Sequence, residues 1–211
     1  MKKIFAFFAA AFACIAAFAQ TPEEILDKMG KVMEAGQSSG LIMTMEMKIP
    51  ILGTFSTNTL NLGDKTYMSV APRGEEVRTW MDAGTLTSWT YDSQKNVLTI
   101  ESLDPSKAAD DSSDAELFSS AAEGYDPYIK KETDKLWVIE CKKQKTNTNK
   151  DDPKTMQIIV EKGSFMPVSL QAKMKGVTVI MKDIAFGVNE PDVTFDLSKV
   201  PSDATIEDKR K

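Results

Sequence analysis

Near Gly36 the spacing of apolar residues changes from helical to alternating. Upstream, Ile25, Met29, Val32 and Met33 recur at intervals of three to four, and Thr21-Pro22-Glu23-Glu24 supplies a hydroxyl cap, a first-turn proline and two acids. This predicts an amphipathic helix of about four turns that stops near Gly36. Downstream, Leu41, Met43, Met45, Met47 and Ile49 alternate with Thr44, Glu46 and Lys48 until Pro50, which predicts a strand with one apolar face. Further strands are expected over 51–62, 65–71, 75–82, 85–91 and 96–101, bounded by Gly, Pro, Asp or Asn. Short turns between them predict an antiparallel meander.

The pattern breaks over Asp104 to Gly124, where Ala, Ser and Asp dominate and β-branched residues are missing. Loop and short helix are equally compatible with that composition; its place makes it the candidate lid, with Leu117 and Phe118 as its apolar residues. Alternation then resumes, with strands expected over 128–133, 135–143, 154–162, 167–175 and 176–186. The tail after Gly187 lacks a period but carries Val193 and Phe195, which are placed to pack back on the sheet. The fold class that follows is α+β: a highly curved antiparallel sheet of about eleven strands forming an unclosed half-barrel. An N-terminal helix and a central helical lid would cover its concave face.

The first nineteen residues, MKKIFAFFAAAFACIAAFA, change the picture at the N-terminus. Two lysines, a short uncharged apolar run and Ala17-x-Ala19 read as a cleavable secretory signal, followed by one domain from Gln20 to Lys211 in a bacterial periplasm. Cys14 opens a competing reading as a lipidated anchor, but Phe12 precedes it and the apolar run continues past it, which favours soluble export. The whole chain carries 26 basic and 31 acidic residues, a net charge of −5, and loss of the signal removes two lysines. An acidic chain without a basic stripe is a poor nucleic-acid binder.

With Cys14 in the signal, Cys141 stands alone and no internal disulfide forms. The sequence has no histidine, so the commonest general base and metal ligand are missing, and no glycine-rich phosphate loop occurs. Neither a catalytic residue, a metal site nor a cofactor is expected. Asp110-Asp111 and Asp151-Asp152 are solvated pairs, not spaced calcium ligands. The unusual feature is apolar: 12 methionines, three of them at Met43, Met45 and Met47 on one strand face. Flexible, polarizable thioethers suit either an irregular core or a varied apolar ligand. In TSWTYD, Trp89 and Tyr91 likewise share a face, and were expected to join the methionine row in one concave lining.

The run VAPRGEEVRTWMDAGTLTSWTYDSQKNVLTI, Val70 to Ile100, together with Phe195 and the ending DATIEDKRK, resembles the outer-membrane lipoprotein carrier family, called LolA-like. The resemblance implies an eleven-stranded half-barrel covered by helices, with an apolar cavity for lipoprotein acyl chains. It implies as partners an inner-membrane lipoprotein-releasing transporter and an outer-membrane acceptor, and as carrier a monomer. The expected lining is Leu41, Met43, Met45, Met47, Met68, Val70, Trp80, Trp89, Tyr91, Leu98, Ile100, Phe118, Met174 and Met181. Arg73 is expected to latch the lid, with Arg78 as a substitute because Arg73 and Pro72 are inverted relative to the family's order. The leading function is a periplasmic carrier of lipoprotein or other lipid; a lipid- or partner-sensing regulatory module of the same fold is the alternative.

Overall fold

The computed structural model describes residues 20–71, 74–104, 123–150 and 152–210. The expected signal, the greater part of the candidate lid with Phe118, and Arg73 lie outside them.

Helix α1 spans Pro22–Gly36. Its start has the expected hydroxyl cap, and Glu24 completes it as a capping box: the Glu24 amide donates to Thr21 Oγ1 and the Thr21 amide to Glu24 Oε2, each at 3.2 Å. The buried stripe is Ile25, Leu26, Met29, Gly30 and Met33, so Leu26 takes the place expected of Val32. The α-helix ends at Gly36, as expected. The chain runs on through one 3₁₀ turn, Gln37–Ser39, and reverses at Gly40, whose φ of 77° belongs to the region that glycine enters without strain. Gly36 is there for closeness as well: a Cβ at that position would lie 2.3 Å from the Phe186 ring.

Eleven antiparallel strands follow: β1 Leu41–Ile49, β2 Gly53–Leu62, β3 Lys65–Val70, β4 Val77–Asp82, β5 Thr87–Asp92, β6 Val97–Ser102, β7 Tyr125–Glu132, β8 Leu136–Lys143, β9 Thr155–Glu161, β10 Pro167–Met174 and β11 Val177–Phe186. A four-residue helix α2, Glu190–Val193, leads to a twelfth strand, β12 Thr205–Asp208. The sheet order is β12-β6-β5-β4-β3-β2-β1-β11-β10-β9-β8-β7. Two meanders, β1–β6 and β7–β11, are therefore joined at the centre by β1 and β11. The sheet curves and stays unclosed, with β7 and β12 at its edges. The sequence does not announce β12, which lies parallel to β6 with Ile206 beside Leu98. All four of its residues are exposed, so backbone pairing rather than apolar burial holds it.

Cross-strand partners share a face, and following them assigns every side chain to one of two. From Met45 the line runs through Met181, Leu170, Ile158 and Ile139 to Ile129. This is the face that α1 covers. Ile25, Met29 and Met33 meet Leu41, Met43, Ile139, Cys141, Ile158, Val160 and Leu170 in one fully packed cluster. A bulge at Asp183, φ 55°, sets two residues of β11 against Met43 and keeps both Met181 and Ile184 turned toward that cluster. A second cluster lies on the other face, where Trp80, Tyr91, Leu98 and Val200 are buried among Tyr67, Trp89, Ile100, Phe195 and Ala204.

Candidate functional site

The single lining expected from the sequence is divided between the two faces. In the other direction from β1, Met43 pairs with Thr59, Thr59 with Met68, Met68 with Thr79, Thr79 with Thr90 and Thr90 with Thr99. Leu60, Tyr67, Trp80, Trp89 and Ile100 form the parallel line on the opposite face. Leu41, Met43, Met45, Met47, Met68, Val70, Met174 and Met181 thus belong to the helix-bearing face. Trp80, Trp89, Tyr91, Leu98, Ile100 and Arg78 belong to the other, which corrects the expected grouping. The physical reason is register: β3 pairs Met68 with Thr79 rather than with Trp80, and a one-residue offset sends a strand's whole apolar set to the opposite side.

On the helix-bearing face the methionine row of β1 moves out of the core along its length. Leu41 and Met43 are buried beneath α1, Met45 packs against the edge of the cluster, and Met47 is 37% exposed. The buried cluster stops at β1; among the described residues no side chain of β2–β6 belongs to it. What continues across β2–β6 is a strip of mostly uncharged residues, half-buried apart from the buried Thr59. Thr57, Thr59, Thr79, Thr90 and Thr99 alternate with or flank Phe55, Met68, Val70, Val77 and Met81, with Asp92 and Glu101 only at its far side. Thr79 and Thr90 share a hydrogen bond between their Oγ1 atoms, 3.3 Å apart. A hydroxyl with a methyl beside it offers both apolar contact and a donor for a carbonyl or ester oxygen. Phe55, Val77, Met81 and the threonines were not foreseen as site residues; the β-branched alternation in each strand was visible, but only the register lines them up.

The opposite face is closed by the chain after α2. Phe195 stacks on Trp89 with ring centroids 5.1 Å apart and an interplanar angle of 9°, and meets the edge of Trp80 at 5.4 Å. The Arg78 guanidinium lies 5.0 Å from the Tyr91 ring and 5.6 Å from Trp80, with Glu76 3.5 Å from its Nε. That is a cation seated on aromatic faces, on the side of the sheet away from α1. Beside these rings a cleft of about 370 Å³ is lined by Lys65, Trp89, Phe195 and Arg210 among others, and one of about 280 Å³ by Tyr67, Arg78, Trp80 and Lys199. The cations of the larger cleft are already paired: Lys65 Nζ donates to Glu190 Oε1 at 2.8 Å, and Arg210 Nε to Asp208 Oδ1 at 2.9 Å. The Lys65 hydrogen bond holds the Glu190 carboxyl below its usual range.

Cys141 lies in the packed cluster, where burial pushes its thiol up to about 11, so at neutral pH it is a small apolar side chain rather than a nucleophile. Among the described residues, no three His, Cys, Asp or Glu side chains gather closely enough to hold a metal ion. No described helix is long and apolar enough to cross a membrane.

No protein-family model matches the sequence, and no curated protein matches it significantly. Solved structures are similar in backbone path. An uncharacterized conserved protein from Thermus thermophilus is 14% identical over 89% of this chain and 98% of its own, with a TM-score of 0.45. The Mycobacterium tuberculosis lipoprotein LppX is 10% identical over 76% and 93%, at 0.46. A LolA superfamily protein from Nitrosomonas europaea is 12% identical over 84% and 99%, at 0.31. Likenesses this distant concern the backbone path alone and assign no role.

Proposed function

We propose that this chain is a periplasmic carrier that holds the acyl chain of a lipoprotein, or of another lipid, against the helix-bearing face beyond β1. The observation that carries the reading is the strip itself: half-buried, mostly uncharged, continuous with a packed methionine core, and reaching from Met45 and Met47 across Met68 and Val70 to Val77 and Met81. Binding, not catalysis, is the activity proposed. Withdrawing an acyl chain from water is worth about 0.8 kcal/mol per methylene, so a half-buried strip that shields part of one chain gives useful affinity while still allowing release. Threonine hydroxyls along the strip would orient the ester or amide oxygens of the cargo. The transporter that loads the carrier and the acceptor that unloads it extend this proposal by resemblance.

The test uses the exported chain, Gln20 to Lys211, with a fluorescent fatty acid and with native mass spectrometry after mild extraction. The expected result is saturable uptake that Met68→Asp abolishes while the urea midpoint stays close to that of the parent, because Met68 is half-exposed. Uptake by Met68→Asp equal to that of the parent, or no lipid taken up by either, overturns the reading.

A further inference from the structure

The β1–β2 turn, Pro50 to Leu52, is the most exposed apolar point among the described residues. Ile51 is fully exposed and Leu52 is 63% exposed. Ile51 also adopts φ 75°, a left-handed conformation in which a β-branched side chain is strained. An asparagine or glycine would serve a bare turn better on both counts. Strain combined with exposure of an apolar residue points to a role outside the fold.

The surroundings of the turn are basic. Lys48 pairs with Thr178, Met174 with Val177, and Lys142 with Thr155, so the β1–β2, β10–β11 and β8–β9 turns all leave the same end of the sheet. That end presents exposed Lys48, Lys145, Lys150, Lys154, Lys173 and Lys175 across four strand spacings, about 20 Å. Of the acids at that end, Glu46 pairs with Lys182 at 2.6 Å and lies 3.9 Å from Lys48, Asp126 and Asp152 accept from the amides of Gln144 and Asn147, and exposed Glu75 and Glu76 lie in the β3–β4 connection. The opposite end is mixed, with Asp64, Asp82, Glu101, Asp134 and Glu161 beside Lys65, Lys135 and Lys162. Six exposed lysines of a chain of net charge −5 thus stand at the end of the sheet from which Ile51 and Leu52 protrude.

We infer that this end of the sheet docks on an anionic lipid surface, with Ile51 and Leu52 entering the interface and the lysine collar meeting the headgroups. Two aliphatic side chains on a narrow turn are too little for a specific protein interface, which needs hundreds of square ångströms on each side. They are enough for a bilayer, where a short apolar insertion and several cations act together and long lysine stems keep their ammonium groups at headgroup level. The docking is independent of the carrier reading, since it uses none of the strip residues beyond β1.

The experiment is co-sedimentation of Gln20 to Lys211 with vesicles of phosphatidylcholine alone, or mixed with phosphatidylglycerol, at low and high salt. Fatty-acid uptake is followed in parallel. Binding is expected to the anionic vesicles only, to fall with salt, and to drop roughly tenfold or more in the Ile51→Asp/Leu52→Asp double variant. Lys48→Gln/Lys173→Gln/Lys175→Gln should lose the preference for anionic lipid. Ile51→Gly, which relieves the backbone strain, serves as the folded control and should bind vesicles more weakly while uptake and urea midpoint hold. No vesicle binding by the parent chain, equal binding by the double variant, or self-association through the turn in place of lipid binding overturns the proposal.

Discussion

Between β3 and β6 the same four strands build two unlike surfaces. On one side Tyr67, Trp80, Trp89, Tyr91 and Leu98 make an aromatic floor that Phe195 and Val200 close. On the other, Met68, Val70, Val77, Thr79, Met81 and Thr90 stay half-buried, outside the helix-covered cluster. Large rings, which gain most from burial, went to the side where the chain's own tail supplies the partner. Flexible and hydroxyl-bearing side chains went to the side proposed to take a varied partner. Aromatic content alone is thus a poor guide to a ligand site: the richest aromatic patch here is the one the protein fills itself.

Substitutions on the two sides should separate stability from uptake. The largest effect is expected from Trp80→Ala, since Trp80 is 2% exposed and meets both Tyr67 and Phe195; about 3–5 kcal/mol of stability should be lost in urea unfolding, with uptake per folded molecule unchanged. Trp89→Asp replaces the ring that stacks on Phe195 with a charge, and should cost about 2 kcal/mol by loosening the tail, again without loss of uptake. If Trp89→Asp abolishes uptake in a fully folded protein, the division of the two faces into core and site fails. Gly36→Ala tests the covered half. It would gain about 1 kcal/mol in an open helix, but here Phe186 must move, and a net loss in thermal melting is expected.

The smallest effect belongs to acid. Hydrogen bonds from Lys182 hold the Glu46 carboxyl below its usual value, and bonds from Lys130 and then Tyr128 do the same for Glu140. A carboxylate whose pKa is depressed in the folded state adds stability above its unfolded value and loses it as pH falls through the folded one. Both residues are on the surface, so a shallow decline of the urea midpoint below the usual carboxylate range is expected, and Glu46→Gln/Glu140→Gln should flatten it.

Much of this was legible in the sequence. The hydroxyl cap of α1, the strand count to within the parallel β12, and the return of Phe195 to the sheet all follow from local pattern or turn chemistry. The face assignment does not. Period two says that Trp89 and Tyr91 agree with each other, but whether they agree with Met68 depends on the offset across two turns, which no single strand encodes. The helix does end at Gly36, but the second reason for a glycine there stays hidden until Phe186, far along the chain, is brought beside it. The turn at Ile51 was hidden because an apolar residue after Pro50 reads as the start of the next strand.

The central seam has a further consequence, for assembly. Each meander is made of neighbouring hairpins, whereas β1 meets β11 through partners such as Leu41 and Phe186, far apart in sequence. Local hairpins form early and distant pairings wait on loop closure, so this seam is expected to set the folding rate. The two halves, residues 20–104 and 123–210, meet along the β1–β11 ladder, through the packing of α1 on the second half, and where the tail returns to the first half with Phe195 on Trp89 and β12 beside β6. Expressed as separate fragments, they should recombine through these contacts into one folded molecule, which makes β1 and β11 the natural place to divide it.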